Sequence, residues 1–162
     1  MTAITTTTTT TTTGPRTLHL VDLENLLGDP RATGAPAARA LDRYFAVAGR
    51  GADDIVYVAV NPPLALEVKR RHPDLCVHAV RGSDGAERWM LANSDPRWVA
   101  SRFDRLVGGS GDWRLADRLA QVRELGLDVL TVSRRRSLSR LYGWHDLPVR
   151  YLDLVPDGRA DR

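Results

Sequence analysis

Asp22, Glu87 and Asp112 each stand just beyond a short apolar run, where a carboxylate is free to do chemistry. The run through Leu18, Leu20 and Val21 leads into Asp22-Leu23-Glu24-Asn25, and the run 55–60 stops at Asn61. Residues 75–80 are followed by Arg81-Gly82-Ser83-Asp84-Gly85-Ala86-Glu87, and Leu106 and Val107 by Gly108-Gly109-Ser110-Gly111-Asp112. Taken singly, such an acid reads as well as a turn former, and Asp112, directly ahead of a helical pattern, as its N-cap. Taken together the acids need a counter-charge. Two bare carboxylates ~4 Å apart repel by roughly 4 kcal/mol at an effective dielectric of about 20, so a cluster must be protonated or hold a cation. An all-oxygen donor set suits Mg²⁺ or Mn²⁺, which bind one or two carboxylates and keep waters for a phosphate substrate. Such an ion lowers the pKa of a bound water and neutralises charge developing on a phosphodiester under in-line attack.

Arg134-Arg135-Arg136 and Arg140 follow the fifth apolar run and Arg81 the third, giving an acidic centre a basic border that fits a polyanion. The same arginines also read as a solvated basic loop. Lys69 is the one lysine among 23 basic residues, so arginine number alone carries little weight. Other phosphate chemistries fit less well. Gly109-Ser110-Gly111 has Arg114 where a dinucleotide loop wants glycine, and it sets Asp112 against a pyrophosphate. No G-x-x-x-x-G-K-[ST] sequence is present, and a phosphoaspartate receiver would call for a lysine that Lys69 is poorly placed to supply. His19, His72, His78 and His145 lack paired metal spacing and read as structural or exposed, while Trp89, Trp98, Trp113 and Trp144 read as packing residues ahead of a base-stacking surface.

These side chains need strands and helices to bring them together. Leu18, Leu20 and Val21 make a first strand ending at Asp22, and Leu41, Tyr44, Phe45 and Ala48 recur at helical spacing. Residues 55–60 form a second strand, 64–71 a short helix and 75–80 a third strand. Two helical pieces, 86–93 and 96–103, are parted by Asp95-Pro96 and lead to a fourth strand at Leu106 and Val107. The clearest helix spans 113–125, with Leu115, Leu119 and Val122 on one face, and strands follow at 127–132 and 149–152. This alternation predicts a three-layer α/β/α fold with a central, mostly parallel sheet of five or six strands and right-handed crossovers. Ligands bind such sheets beyond the carboxyl ends of the strands, where strand order reverses. If strands one and four are neighbours, Asp22 and Asp112 emerge side by side and Glu87 approaches from the intervening segment.

The 162 residues are 43% hydrophobic and 27% charged, which is globular composition and excludes disorder throughout. Residues 1–16, with threonine from Thr5 to Thr13 closed by Gly14 and Pro15, are expected as a flexible tail, 17–154 as one domain and 155–162 as a second flexible tail. The run 55–60 is far shorter than the ~20 residues of a membrane helix, and no membrane partner is expected. A net charge of +3 is too small to diagnose nucleic-acid binding unaided. Cys76 is the single cysteine, which rules out a disulfide framework and makes a reducing cytoplasm the simplest home.

The motifs resemble one known family, the NYN domains, a branch of the PIN-like metal-dependent nucleases. His19-Leu20-Val21-Asp22-Leu23-Glu24-Asn25 is similar to the family's apolar strand ending in Asp, two residues, then Asn. Asp84-Gly85-Ala86-Glu87 looks like its Gly-Ala-Asp segment, with Glu87 where Asp is usual. Val107 to Asp112, running on to Arg123-Glu124-Leu125-Gly126, resembles its strand, Ser-Gly-Asp and helix ending in Arg-Glu-Leu-Gly. Ser133 and Ser137-Leu138-Ser139-Arg140 are similar to its last segment, so the resemblance covers roughly residues 17 to 154. It implies an endoribonuclease that hydrolyses phosphodiesters of RNA, single-stranded RNA foremost, with Mg²⁺ or Mn²⁺. Asp22, Asp112 and Glu87 would hold the metal, Glu87 completing the site or positioning water, with Asp84 as its substitute. Asn25 and Ser110 would contact water or phosphate, and Arg81, Arg134, Arg135, Arg136 and Arg140 would hold the backbone. One departure matters: the second Asp that the family often carries after Ser-Gly-Asp is Arg114 here, which favours one metal over two. It also opens the alternative of a catalytically weakened RNA-binding or regulatory module. Oligomeric state is left open, a homodimer included.

Overall fold

The computed structural model describes residues 14–29, 34–82 and 84–152. The threonine tract and residues 155–162, both expected as tails, lie outside the described residues, as does Ser83. Six strands form one sheet: β1 (Thr17–Asp22), β2 (Ile55–Val60), β3 (Cys76–Ala79), β4 (Arg105–Gly109), β5 (Asp128–Ser133) and β6 (Val149–Tyr151). Every pairing is parallel and the order is β3-β2-β1-β4-β5-β6. Between them run α1 (Leu23–Leu27), α2 (Gly34–Ala48), α3 (Pro62–Arg71), α4 (Gly85–Ala92), α5 (Pro96–Ala100), α6 (Trp113–Glu124), a 3₁₀ turn (Arg135–Ser137) and α7 (Leu141–Trp144). This is the three-layer α/β/α arrangement expected from the alternation of patterns.

Side-chain alternation along the strands divides the core in two. Val21, Val58, Val107 and Val132 face α1, α2 and α3, packing with Leu26, Leu41, Tyr44 and Leu64. Leu18, Leu20 and Leu106 face α4, α5 and α6, packing with Met90, Val99, Leu115 and Leu119. Burying each such side chain contributes about 1.5–3 kcal/mol, and both faces of β1 are closed to water, as a central parallel strand requires. His19 is buried too, and its polarity is met on both sides: Nδ1 lies 3.0 Å from Tyr44 Oη and Nε2 3.0 Å from Asp54 Oδ2. Burial pushes the imidazole down from its ordinary pKa, with Asp54 opposing. The structural role expected for His19 is met.

The helices start where local chemistry dictates. Asn61 Oδ1 accepts from Leu64 N–H at 3.2 Å with Pro62 opening α3, and Asp95 caps α5 ahead of Pro96. Lys69 reaches over the end of α3 to the carbonyls of Pro73 and Leu75, which makes it a loop clasp. Three elements escaped the sequence patterns: α1 and α7, with five and four residues, and the 3₁₀ turn are too short to show a helical period. β3 is also shorter than the 75–80 run, and β4 longer than its two apolar residues, because it extends through two glycines. A Cβ on Gly108 would sit 3.0 Å from Leu115 and Leu119 of α6, and one on Gly109 2.8 Å from the Tyr44 ring of α2. Helices from both layers therefore close onto β4 at its carboxyl end. No described helix is long and apolar enough to cross a membrane.

Candidate active site

The chain builds outward from β1 to β2 and β3, then crosses to β4 on the other flank of β1. Strand order reverses there, the position at which parallel sheets of this kind commonly bind ligands beyond the strand ends. Register sets what stands there. Val21 pairs with Gly109, so Asp22 leaves the sheet level with Ser110, two residues short of Asp112. Both acids are N-caps as well as neighbours. Asp22 Oδ1 accepts from Asn25 N–H at 3.0 Å at the start of α1, and Asp112 Oδ1 accepts from Arg114 N–H at 2.9 Å at the start of α6. The capping role that each acid offers singly is thus realised together with their approach. Burial, reinforced by the charges of Glu24 and Asp112 and opposed by backbone N–H groups, raises the Asp22 carboxyl to about 6. The leading influences on it include no cationic side chain.

The loop carrying Asp112 is held from three sides. Asn25 Oδ1 accepts from Gly111 N–H at 2.9 Å, tying the end of β1 to the end of β4. Ser110 is fully buried, with its Oγ accepting from Asp112 N–H at 3.2 Å; it shapes the loop and presents no hydroxyl to solvent. Asn25 likewise commits its oxygen to the loop. Tyr142 donates to the carbonyls of Ser110 and Asp112, at 2.9 and 3.0 Å, from a buried phenol whose pKa is pushed up by burial first and the Asp112 charge second. Gly111 permits the last contact, since a Cβ there would meet the Ser137 carbonyl at 2.1 Å, and its own carbonyl accepts from Ser139 N–H at 2.9 Å. Tyr142→Phe is expected to destabilise the chain by about 1–2 kcal/mol, lowering the urea midpoint at constant m-value. An unchanged midpoint would show that the hydroxyl does not hold the loop.

Glu87 is buried in the first turn of α4, but it does not join the two aspartates. Its Oε1 accepts from Arg114 Nη1 at 2.6 Å. That pair raises the guanidinium's pKa, through the hydrogen bond first and then the charges of Glu87, Asp112 and Asp84. Arg114 therefore compensates the acid nearest to it. Among the described residues no group of three or more His, Cys, Asp or Glu side chains converges to hold a metal ion. Asp22 and Asp112 would be the donors if Mg²⁺ or Mn²⁺ were held here, since such ions accept one or two carboxylates with water and phosphate completing the shell. Asp84, the substitute for Glu87, is exposed, and its side chain makes no cap bond to α4. Asp117 points elsewhere and pairs with His145 at 2.8 Å.

The arginines flank this centre on both sides. Arg134, Arg135, Arg136 and Arg140 lie on the segment after β5 that clasps Gly111, and Arg81 follows β3 on the opposite flank. Arg134 lays its guanidinium against Gly28 at the end of α1, and Arg135 sits over the Tyr151 ring at 4.1 Å. Arg136, Arg140 and Arg81 are exposed. Arg81 lines an open groove of about 640 Å³ with Glu24, Asn61, Pro62, Pro63, Val80 and Gly82. Glu24, which accepts from Asn61 N–H at 3.1 Å and adds its charge to that of Asp22, was not among the expected site residues. Its position two residues after Asp22, on the same strand-end loop, was the available signal.

The fold has a solved counterpart. The crystal structure of a protein of unknown function from Vibrio parahaemolyticus is similar over 86% of this chain and 93% of that one, with a TM-score of 0.56 and 14% sequence identity. A likeness at that identity concerns the fold alone. No family model and no curated protein matches the chain.

Proposed function

We propose that the chain is a metal-dependent ribonuclease that hydrolyses phosphodiesters of single-stranded RNA at the carboxyl edge of its sheet. The observation that carries this reading is the pairing of Asp22 with Asp112 at the reversal of strand order, two part-buried carboxylates with no cation among the leading influences on Asp22. Asp22 and Asp112 would hold one Mg²⁺ or Mn²⁺, which when bound supplies charge neutralisation at the phosphodiester. Asn25, Ser110 and Tyr142 keep the two acid-bearing loops in register, so the carboxylates are positioned before substrate arrives. Arg81 on one flank and Arg136 and Arg140 on the other attract and align the polyanion. RNA over DNA follows from the resemblance to NYN domains alone. The exposed free thiol of Cys76 supports a reducing, cytoplasmic setting.

Labelled single-stranded RNA is expected to be cut with Mg²⁺ or Mn²⁺ and left whole with chelator. The pairing of Glu87 with Arg114 favours a second reading, an RNA-binding or regulatory module without turnover. Salt-sensitive binding of the RNA with no cleavage under either ion selects that reading and overturns the first.

A further inference from the structure

Two of the four tryptophans are used in packing: Trp89 stacks on His78 with centroids 3.8 Å apart, and Trp98 meets Phe103 edge-on at 5.8 Å. The other two face water. Trp113 is 46% exposed and Trp144 84%, the most exposed large apolar side chain among the described residues. A single exposed apolar side chain needs no explanation, but Trp113 adjoins Asp112 in the chain and Trp144 stands four residues after Arg140. Trp113 follows Asp112 directly and opens α6, and the Arg114 guanidinium lies 4.9 Å from its ring centroid, fixing the indole while nearly half of it stays in water. One turn along α6, Asp117 pairs with His145, and Arg123 donates to the carbonyls of His145 and Asp146. The end of α7 that carries Trp144 is thereby docked on the helix that Trp113 begins. Arg140, exposed, lies one turn before Trp144, whose N–H it accepts at 3.1 Å.

We infer that Trp113 and Trp144, with Arg140 beside them, form a stacking track for the unpaired bases of a single-stranded nucleic acid, leading away from Asp112. An unpaired strand offers a π-face and a phosphate at every nucleotide, and this surface offers indoles and a guanidinium. Stacking is tolerant of sequence, because every base has such a face, whereas a duplex hides its base faces inside the helix. The track deepens the proposed function and takes its ligand class from it, but it concerns binding and not cleavage.

The test is fluorescence anisotropy of a labelled oligo(U) RNA of roughly ten nucleotides, titrated with the full chain in chelator so that nothing is cut. Trp113→Ala and Trp144→Ala are each expected to weaken binding about tenfold, while the phenylalanine variants retain most of it and an RNA duplex binds at least about tenfold more weakly than the single strand. Alanine variants that bind like the wild type, a duplex that binds as tightly as the single strand, or no binding of the oligomer at all would overturn the track. So would a self-association, seen by sedimentation, that Trp144→Ala abolishes in a chain indifferent to RNA. Cleavage by the wild type with Mn²⁺, assayed separately, keeps the two claims apart. Tryptophan-dependent binding without cleavage leaves the track standing and removes the nuclease, and cleavage with tryptophan-independent binding does the reverse.

Discussion

Asp22→Asn is expected to yield a chain that is more stable at neutral pH and does not cut RNA. The folded chain holds the Asp22 proton up to about 6, while an unfolded Asp releases it near 3.8. Between those values the native state binds more protons than the unfolded state, so this group's contribution to stability falls as pH rises and is lowest above about 6. The cost at neutral pH corresponds to about 3 kcal/mol, carried by a carboxylate that burial and its acidic neighbours disfavour. Asparagine keeps the cap on α1 without the charge. The stability difference between variant and wild type should be negligible below about pH 4 and open between about pH 4 and 6, read from urea midpoints across the range. On the proposed reading cleavage should fall on the order of 10²–10³, because one of the two carboxylates that would hold the metal has lost its charge. A variant that cuts like the wild type, or is less stable at pH 7, would contradict this assignment. The combination of gained stability and lost activity distinguishes a functional strain from a merely capping acid.

The second large effect concerns Arg114. Removing its guanidinium in Arg114→Ala leaves Glu87, which is 6% exposed, without its ion-pair partner. Glu87 then gains by turning to any cation that enters, and Mn²⁺ affinity should rise on the order of tenfold by calorimetry. The double variant Arg114→Ala, Glu87→Gln should return the affinity to its starting value, since the gained carboxylate is then gone. Unchanged affinity in Arg114→Ala would mean that Glu87 stays out of the metal site even when released. In that case the two aspartates would act without a third acid.

Sequence patterns were sufficient for the strands because a central parallel strand is apolar on both faces, and 55–60 or 127–132 could hardly be anything else. They also placed Asp22 and Asp112 together, on condition that β1 and β4 are neighbours, which the strand order satisfies. What they could not supply is long-range pairing. Asn25 reaches Gly111 across 86 residues and Arg114 reaches Glu87 across 27, and nothing local to either residue records the partner. Glu87 was thus expected at the metal and is found in an ion pair. Ser110 was expected to face phosphate and is buried, because its neighbour Gly109 admits the Tyr44 ring and Gly111 admits the Ser137 carbonyl. The exposure of Trp113 and Trp144 was equally illegible, since an indole has the same letter whether it is packed or bare.

The placement of β1 between β2 and β4 also bears on how the candidate site is assembled. β1 is synthesised ahead of the partner it needs across the longest stretch of chain, with Val21 waiting for Gly109. Such non-local pairing is slow to form, and nascent fragments ending before residue 109 carry Asp22 but have no surface on which to seat it. Asp22 and Asp112 are therefore brought to one edge of the sheet only when the second half of the polypeptide has docked.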